Sequence, residues 1–360
     1  MKAVILAGGE GIRLKPLTYK RPKPLIPIAG EPCIDYMIKS LVSADFKRII
    51  VTTGYMSDTM IRSVGDGKKF GASIVYAFEE TPAGTAGAVK NVSEFLDDTF
   101  VVASGDVLAD VDIKALFDYH QEKKAVATMA LTTVQNPSEF GIVGLDDDNR
   151  IIQFKEKPKE EEIFSNLINA GIYILEPEVL DFIPENQMFD FSKNVFPLLL
   201  QNEKPIYGAP ISGLWMDIGR PYDVLSATFE VVERNGKEMS IQDIKTEGKI
   251  IIGEGVSLEK DVTIKGPCYI GSGIEVGRNS VLEKACIYDN VRIDRGVLVK
   301  NSIIMSESSL GWRSEVVNSI VSNKCTLEDD VKLADSVIGA GVTIKKHSVM
   351  ADANISPSET

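Results

Sequence analysis

Two cations, Arg13 and Lys23, follow the glycines of one glycine-rich run. It reads Leu6-Ala7-Gly8-Gly9-Glu10-Gly11-Ile12-Arg13-Leu14-Lys15-Pro16-Leu17-Thr18 and continues to Lys20-Arg21-Pro22-Lys23-Pro24-Leu25. Glycines at a turn let backbone N–H groups approach an anion closely, and the two side chains can neutralise phosphate oxygens. The pattern therefore predicts a phosphate-bearing ligand. Two familiar phosphate loops are excluded: Leu14 stands where a dinucleotide fingerprint needs its third glycine, and no GxxxxGK[ST] run exists. Two aspartates supply the complementary charge. Asp106 ends the apolar run Val101-Val102-Ala103-Ser104-Gly105, and Asp217 lies in Gly213-Leu214-Trp215-Met216-Asp217-Ile218-Gly219. Ligands of open α/β sheets bind beyond the carboxyl ends of strands. Two carboxylates plus phosphate oxygens suit Mg²⁺, a hard cation that keeps some of its waters. Asp110 and Asp112 compete as ligands, although their setting reads as the turn and cap before a helix at Ile113. A further cation, Lys157 in Phe154-Lys155-Glu156-Lys157-Pro158, follows the strand-like Ile151-Ile152 and could serve a second anionic substrate.

The elements that must position these residues are readable from hydrophobic pattern. β-branched runs at Ala3–Ala7, Arg48–Thr53, Ser73–Phe78 and Phe100–Ala103 alternate with helical periodicity at Ile34–Ala44, Ala86–Phe95 and Ile113–Glu122. Such alternation predicts βαβ units, and near-continuous apolar strands fit a sheet covered on both faces. Residues 1–235 thus read as one α/β domain with a Rossmann-like, mostly parallel sheet. From 236 to 360 helical periodicity gives way to short Ile/Val segments with glycine. Apolar residues recur at every sixth position through Ile252, Leu258, Ile264, Ile270, Val276 and Leu282, then in triplets from Ile287, Ile304, Val321 and Ile338. From Ile270 each triplet begins 17 residues after the last (Ile270 to Ile287, Ile287 to Ile304). Three hexads per coil predict a parallel β-helix whose coils stack on one another.

The glycine run with Pro22-Lys23-Pro24-Leu25 resembles the GGxGxRLxPLT and PKPL signature of the sugar-1-phosphate nucleotidylyltransferases. Other stretches are similar too: Pro82-Ala83-Gly84-Thr85-Ala86-Gly87 to the family's PxGTAG segment, and Trp215-Met216-Asp217-Ile218-Gly219 to its W-x-D-I/V-G. Ser165-Asn166-Leu167-Ile168-Asn169-Ala170-Gly171-Ile172-Tyr173-Ile174 resembles the SNxINAGxYI of the mannose-1-phosphate guanylyltransferase branch, and Gly311-Trp312-Arg313 a GWR step in its left-handed β-helix. The resemblance implies a nucleotide held by Leu6, Ala7, Gly8, Gly9 and Gly11, with Arg13 on the leaving pyrophosphate and Lys23 near the reacting phosphates. It implies base contacts from Gly84, Thr85 and Ala86, and Mg²⁺ on Asp106 and Asp217. The sugar phosphate falls to Gly141, Glu156, Lys157, Asn169 and Gly171. Thymidylyl- and uridylyl-transferring members usually carry a glutamine near the base, and none lies between Ile74 and Val102. GTP and mannose 1-phosphate are the expected NTP and hexose 1-phosphate. Thr81 and Ala83 depart from the acidic residue and leucine of the guanylyl branch, which leaves glucose-1-phosphate uridylyl or thymidylyl transfer as the alternative. A regulatory paralogue that only binds a nucleotide sugar is the alternative from another class.

Bulk properties narrow the field further. The 360 residues exceed one comfortable core, and a formal charge of −13 argues against nonspecific nucleic-acid or anionic-membrane binding. No apolar run approaches the roughly 18 to 20 residues that span a bilayer. Cys33, Cys268, Cys286 and Cys325 contain no CxxC pair and read as reduced packing thiols of a cytoplasmic protein. His120 and His347 are the two histidines, too few for a metal-histidine cluster, and there is no GxSxG elbow or H-E-x-x-H pair. His120 is expected at a helix end, explained by dipole and solvent. His347 falls in the last coil. The flat faces and terminal edge of a β-helix lead us to expect a homo-oligomer assembled through the C-terminal domain.

Overall fold

Residues 3–5 of strand β1 (Lys2–Leu6) are fully buried, as an apolar strand covered on both faces must be. The computed structural model describes residues 1–358. By internal packing the chain forms two units: Met1–Gly9 with Cys33–Asp217, and Glu10–Pro32 with the chain from Ile218 onward. The first unit continues from β1 through α1 (Cys33–Ser43), β2 (Arg48–Thr53), α2 (Ser57–Val64), β3 (Ser73–Phe78), α3 (Gly84–Lys90), β4 (Phe100–Ser104), β5 (Val107–Val111) and α4 (Ile113–Lys123). There follow β6 (Ala127–Thr133), β7 (Gly141–Leu145), β8 (Ile151–Glu156), β9 (Leu167–Leu175), α5 (Phe196–Gln201), β10 (Ile206–Pro210) and β11 (Gly213–Asp217).

The main sheet is mixed with a parallel core. Strands β3, β2, β1 and β4 run parallel in that order. Strand β9 joins β4 antiparallel, then pairs with β6 and with the β7–β8 hairpin, while β10 lies parallel to β6. Outside this sheet β5 and β11 form an antiparallel ribbon. The helix expected to reach Phe95 stops at Lys90 and yields to a 3₁₀ turn at Ser93–Phe95. Asn91 and Ser93 compete with helix bonding through their side chains, and β-branched Val92 lies between them. Asp112 caps α4 by accepting from the Ala115 N–H at 2.9 Å, as its setting predicts.

In the second unit the helix α6 (Pro221–Asn235) precedes the left-handed parallel β-helix. Early coils repeat after 18 residues (Ile250 beside Cys268, Val281 beside Thr263), and later ones after 17 (Glu275 beside Arg292, Ser309 beside Thr326). This is the spacing read from the apolar series. Every member of that series is buried except Ile252, Leu258 and Met350, which belong to the outermost coils and are half-buried. A ladder of buried serines joins the coils: the Ser319 N–H donates to Ser302 Oγ at 3.0 Å, the Ser336 N–H to Ser319 Oγ at 3.0 Å, and the Ala353 N–H to Ser336 Oγ at 2.9 Å. Their hydroxyls donate in turn to backbone carbonyls, so these interior polar groups are satisfied.

The segment 10–32 is held against this β-helix. The Tyr288 hydroxyl donates to Pro27 O at 2.8 Å, and the Arg21 guanidinium donates to Asn323 Oδ1 at 2.6 Å. Leu310→Ala, in an interior coil, should cost about 2–5 kcal/mol of stability, whereas Met350→Ala should cost clearly less. Chemical denaturation followed by circular dichroism measures both, and equal losses would contradict the stacking account.

Candidate active site

Three chain segments leave parallel strands at one end of the first unit. Leu6 pairs with Ser104, and the Gly105 N–H donates to Leu6 O at 2.9 Å, so Ala7-Gly8-Gly9 and Gly105-Asp106 emerge side by side. The third segment follows β3, where Glu79 is anchored by its N–H to Thr53 O at 2.9 Å. Glu79 Oε1 lies 2.9 Å from where a Cβ on Gly8 would sit, and Glu79 Oε2 accepts from the Ala83 N–H at 3.4 Å. Gly9 has open space around it. Glu79 is a residue that the sequence pattern did not single out.

Asp106 and Asp217 come together through the β5–β11 ribbon. Asp217 lies directly opposite Val107, the residue after Asp106, which brings the two half-buried aspartates to the same end of the ribbon. Asp110 is opposite Leu214, farther along it, and is exposed. Two neighbouring carboxylates are the hard oxygen donors that Mg²⁺ accepts, and that ion commonly completes its shell with substrate phosphates and water. Among the described residues no group of three or more His, Cys, Asp or Glu side chains could hold a metal by itself. The donor set fits a divalent ion shared with a phosphate.

Strands β7, β8 and β9 carry the second group of residues. A Cβ on Gly141 would come within 2.8 Å of Glu156 Oε2 and 2.7 Å of the Phe154 ring, so only glycine allows these two to close over it. The Lys157 N–H donates to Phe140 O at 2.9 Å, and its side chain is exposed. Asn169 Oδ1 accepts from the Gly171 N–H at 2.9 Å, and its Nδ2 donates to the Tyr173 hydroxyl at 2.9 Å and to Ser192 Oγ at 3.2 Å. Burial pushes the Glu156 carboxyl above the ordinary range, opposed by Lys157, Lys193 and a hydrogen bond with Ser192, while Asp190 adds to the rise. Trp215 Nε1 donates to Ala170 O at 2.8 Å, which ties β11 to β9.

Gly84, Thr85 and Ala86 begin α3. Gly84 has φ +74°, and a Cβ there would meet Phe189 O at 2.6 Å. The N–H groups of Ala86 and Gly87 donate to Phe189 O at 2.9 and 3.0 Å, and both the Thr85 N–H and hydroxyl donate to Asp190 Oδ1. The partner segment 189–192 carried no recognisable spacing and was invisible in the sequence. Gly11, Arg13 and Lys23 belong to the second unit. There the Thr18 hydroxyl donates to Gly11 O at 2.9 Å, and a Cβ on Gly11 would meet Lys23 Cβ at 2.9 Å. Lys23 is buried and Arg13 is exposed.

His120 departs from its expected solvent setting. It is fully buried, with Nδ1 2.9 Å from the Thr128 hydroxyl and Nε2 3.1 Å from Glu176 Oε1. The carboxylate can only accept, so Nε2 carries the proton and Nδ1 accepts from Thr128. The packing of α4 against β6, which local sequence does not reveal, closes it off. His347 is exposed beside Asp330, and all four cysteines are buried and free. No helix among the described residues is long and apolar enough to cross a membrane.

A glycine turn and paired carboxylates at the strand ends of a parallel-cored sheet, with a hexapeptide β-helix after it, define a phosphate-handling α/β enzyme class. The nucleotidyl transferase family model matches residues 2–234, and the GMPPB C-terminal domain model matches residues 246–360. The chain belongs to the sugar-1-phosphate nucleotidylyltransferase family. A UTP–glucose-1-phosphate uridylyltransferase of Synechocystis sp. is 36% identical over 342 residues, covering 89% of this chain and 87% of that protein. A mannose-1-phosphate guanylyltransferase of Mycobacterium tuberculosis is 33% identical over 300 residues, covering 83% and 82%. The crystal structure of HddC from Yersinia pseudotuberculosis complexed with GMP-PN matches with a TM-score of 0.55 at 26% identity, covering 64% of this chain and 99% of that one.

Gly84→Ala should lose about 1–2 kcal/mol from the left-handed backbone alone, with the Phe189 clash adding to it. Gly9→Ala should leave stability nearly unchanged. Denaturation midpoints of the two variants check the contrast.

Proposed function

We propose that this chain transfers a guanylyl group from GTP to mannose 1-phosphate, releasing pyrophosphate. The reaction class rests on one observation above the others: Asp106 and Asp217 share one end of a ribbon beside the glycine turn that leaves β1. The choice of GTP and mannose is supported by the GTAG, SNxINAGxYI and GWR likenesses, by guanylyltransferase relatives such as the Mycobacterium tuberculosis protein, and by the C-terminal domain match. The more identical uridylyltransferase of Synechocystis favours UTP and glucose 1-phosphate as the second reading. Residues 1–235 are the proposed catalytic module and 236–360 the β-helix module.

In this reading a phosphate oxygen of the sugar 1-phosphate attacks the α-phosphorus in line. The bond from α-phosphorus to the bridging oxygen breaks, and pyrophosphate leaves with that electron pair. The attacking oxygen is already ionised near neutral pH, so no protein nucleophile or base is required, and catalysis reduces to placement and charge neutralisation. Leu6–Gly9 and Gly11 accommodate the nucleotide, Gly84, Thr85 and Ala86 its base, Arg13 the leaving pyrophosphate and Lys23 the reacting phosphates. Lys157 takes the sugar phosphate, Glu156 and Asn169 the sugar hydroxyls, and Gly141 and Gly171 give the hexose room. When bound by Asp106 and Asp217, Mg²⁺ would act as a Lewis acid on the α-phosphate oxygens.

A panel of NTPs and hexose 1-phosphates with pyrophosphate detection tests the substrates, and turnover restricted to UTP or dTTP would sink the GTP assignment. Arg13→Ala should lower kcat by about 10²–10³-fold, by analogy with a removed oxyanion-hole donor. Asp217→Asn should raise the Mg²⁺ concentration needed for half-maximal rate, and an unchanged metal requirement would remove Asp217 from the site.

The raised Glu156 carboxyl also sets a pH dependence. As pH falls through its titration, above the ordinary Glu range, the carboxylate that accepts from the sugar is lost and KM for the sugar phosphate rises. The substrate phosphate, with a second pKa of about 6 in the comparable phosphoryl groups, titrates nearby in both proteins. The difference between wild-type and Glu156→Gln profiles isolates Glu156, and superimposable profiles would exclude its role. We further propose self-association through the β-helix, for which light scattering at micromolar protein should give more than the monomer mass.

A further inference from the structure

Between the segments proposed for base and sugar stands the stretch Phe189–Asn194, to which the family likeness assigned nothing. On one side it is zipped to the start of α3. Phe189 donates its N–H to Ala83 O at 2.8 Å and accepts from Ala86 and Gly87 at 2.9 and 3.0 Å. Asp190 Oδ1 accepts from the Thr85 N–H at 3.1 Å and the Thr85 hydroxyl at 3.3 Å, while Thr85 Oγ1 accepts from the Phe191 N–H at 3.0 Å. Two residues later the chain faces the other group. Ser192 Oγ accepts from Asn169 Nδ2 at 3.2 Å, and Ser192 is near enough to the Glu156 carboxyl to favour its ionised form.

The stretch is stiff as well as bridging. Phe191 is fully buried against Tyr173 at 5.3 Å and Phe196 at 6.0 Å between ring centroids, so the residue between Asp190 and Ser192 cannot move independently. The turn Phe191–Val195 is of the wide π type, a rare form frequent at functional sites, and the Asp190 N–H is tied down by Asn194 Oδ1 at 2.8 Å. A shift of Thr85 therefore reaches Glu156 and Asn169 through one packed residue.

We propose that Asp190 and Ser192 are positioning residues that couple the two substrate pockets, so that a nucleotide ordering Gly84–Ala86 also orders Glu156 and Asn169 for the hexose 1-phosphate. The proposal rests on the residue roles of the preceding subsection. Its physical content is a coupling factor between two ligands, which by linkage is the same whichever binds first. The coupling has to overcome the mutual repulsion of two anions, so the binding buffer must contain Mg²⁺.

The test is calorimetric titration of the full chain with mannose 1-phosphate, with and without a saturating α,β-methylene analogue of GTP, and with glucose 1-phosphate and the UTP analogue as the parallel pair. The wild type should bind the sugar phosphate at least about fivefold more tightly with the analogue present, the lower end of typical couplings. Ser192→Ala should bring that ratio towards one while leaving the affinity for the analogue alone and the thermal midpoint near wild type. Ser192→Thr, which keeps the hydroxyl, should restore the ratio. Asp190→Ala should reduce both the ratio and the analogue affinity. If Asp190→Ala does not fold, Asp190→Asn and the serine pair carry the test. A wild-type ratio of one, or a wild-type ratio retained in Ser192→Ala, overturns the bridge. Failure of wild type to bind either ligand of either pair would overturn the underlying function together with the bridge, and is told apart by the absence of any binding heat.

Discussion

Parallel pairing of β1 with β4, in a register that sets Leu6 beside Ser104, is the constraint on which the site in the first unit depends. Because the two strands end at the same level, a glycine turn and a carboxylate-bearing turn leave the sheet as neighbours. The antiparallel ribbon of β5 and β11 then returns Asp217 to the residue after Asp106. Backbone hydrogen bonds thus bring together two like charges that would otherwise repel. Burial of the apolar strands stabilises that arrangement, while the charges lie outside the buried core, at the strand ends.

Close approach of backbone is the second recurring device. At Gly8, Gly84 and Gly141 the missing Cβ lets a carboxylate, a carbonyl or an aromatic ring come closer than any side chain would allow. The consequence at Gly84 is that Phe189 can accept two N–H groups from the start of α3. At Gly141 it is that Glu156 closes in, half-buried, with its carboxyl raised by desolvation. Local geometry and acid–base character are linked through the same omitted atom.

The second unit obeys a different logic. Each coil buries its apolar triplet only if another coil covers it, so stability is distributed along the stack and fades at its ends, where Ile252, Leu258 and Met350 stay half-buried. Serine hydroxyls inside the stack satisfy backbone groups of adjacent coils, which makes the interior specific in register as well as apolar. The same unit fixes the segment that carries Arg13 and Lys23, through Arg21 to Asn323 and Tyr288 to Pro27.

Much of this was present in the order of residues. Apolar runs and helical periodicity marked β1 to β4 and the helices α1, α3 and α4, though not α2, since those patterns record which faces must be dry. The hexad series marked the β-helix, with its change from 18 to 17 residues per coil, because stacking demands a fixed repeat. Motif order pointed to the glycine turn, Asp106, Asp217, Glu156 and Lys157. What only tertiary structure decided is which distant residues meet. The Asp190–Ser192 bridge, Glu79 against Gly8, the burial of His120 and the anchoring of Arg21 involve single polar residues without periodicity. Their roles arise from contacts across tens or hundreds of positions, and a linear pattern carries information only about neighbours and repeats.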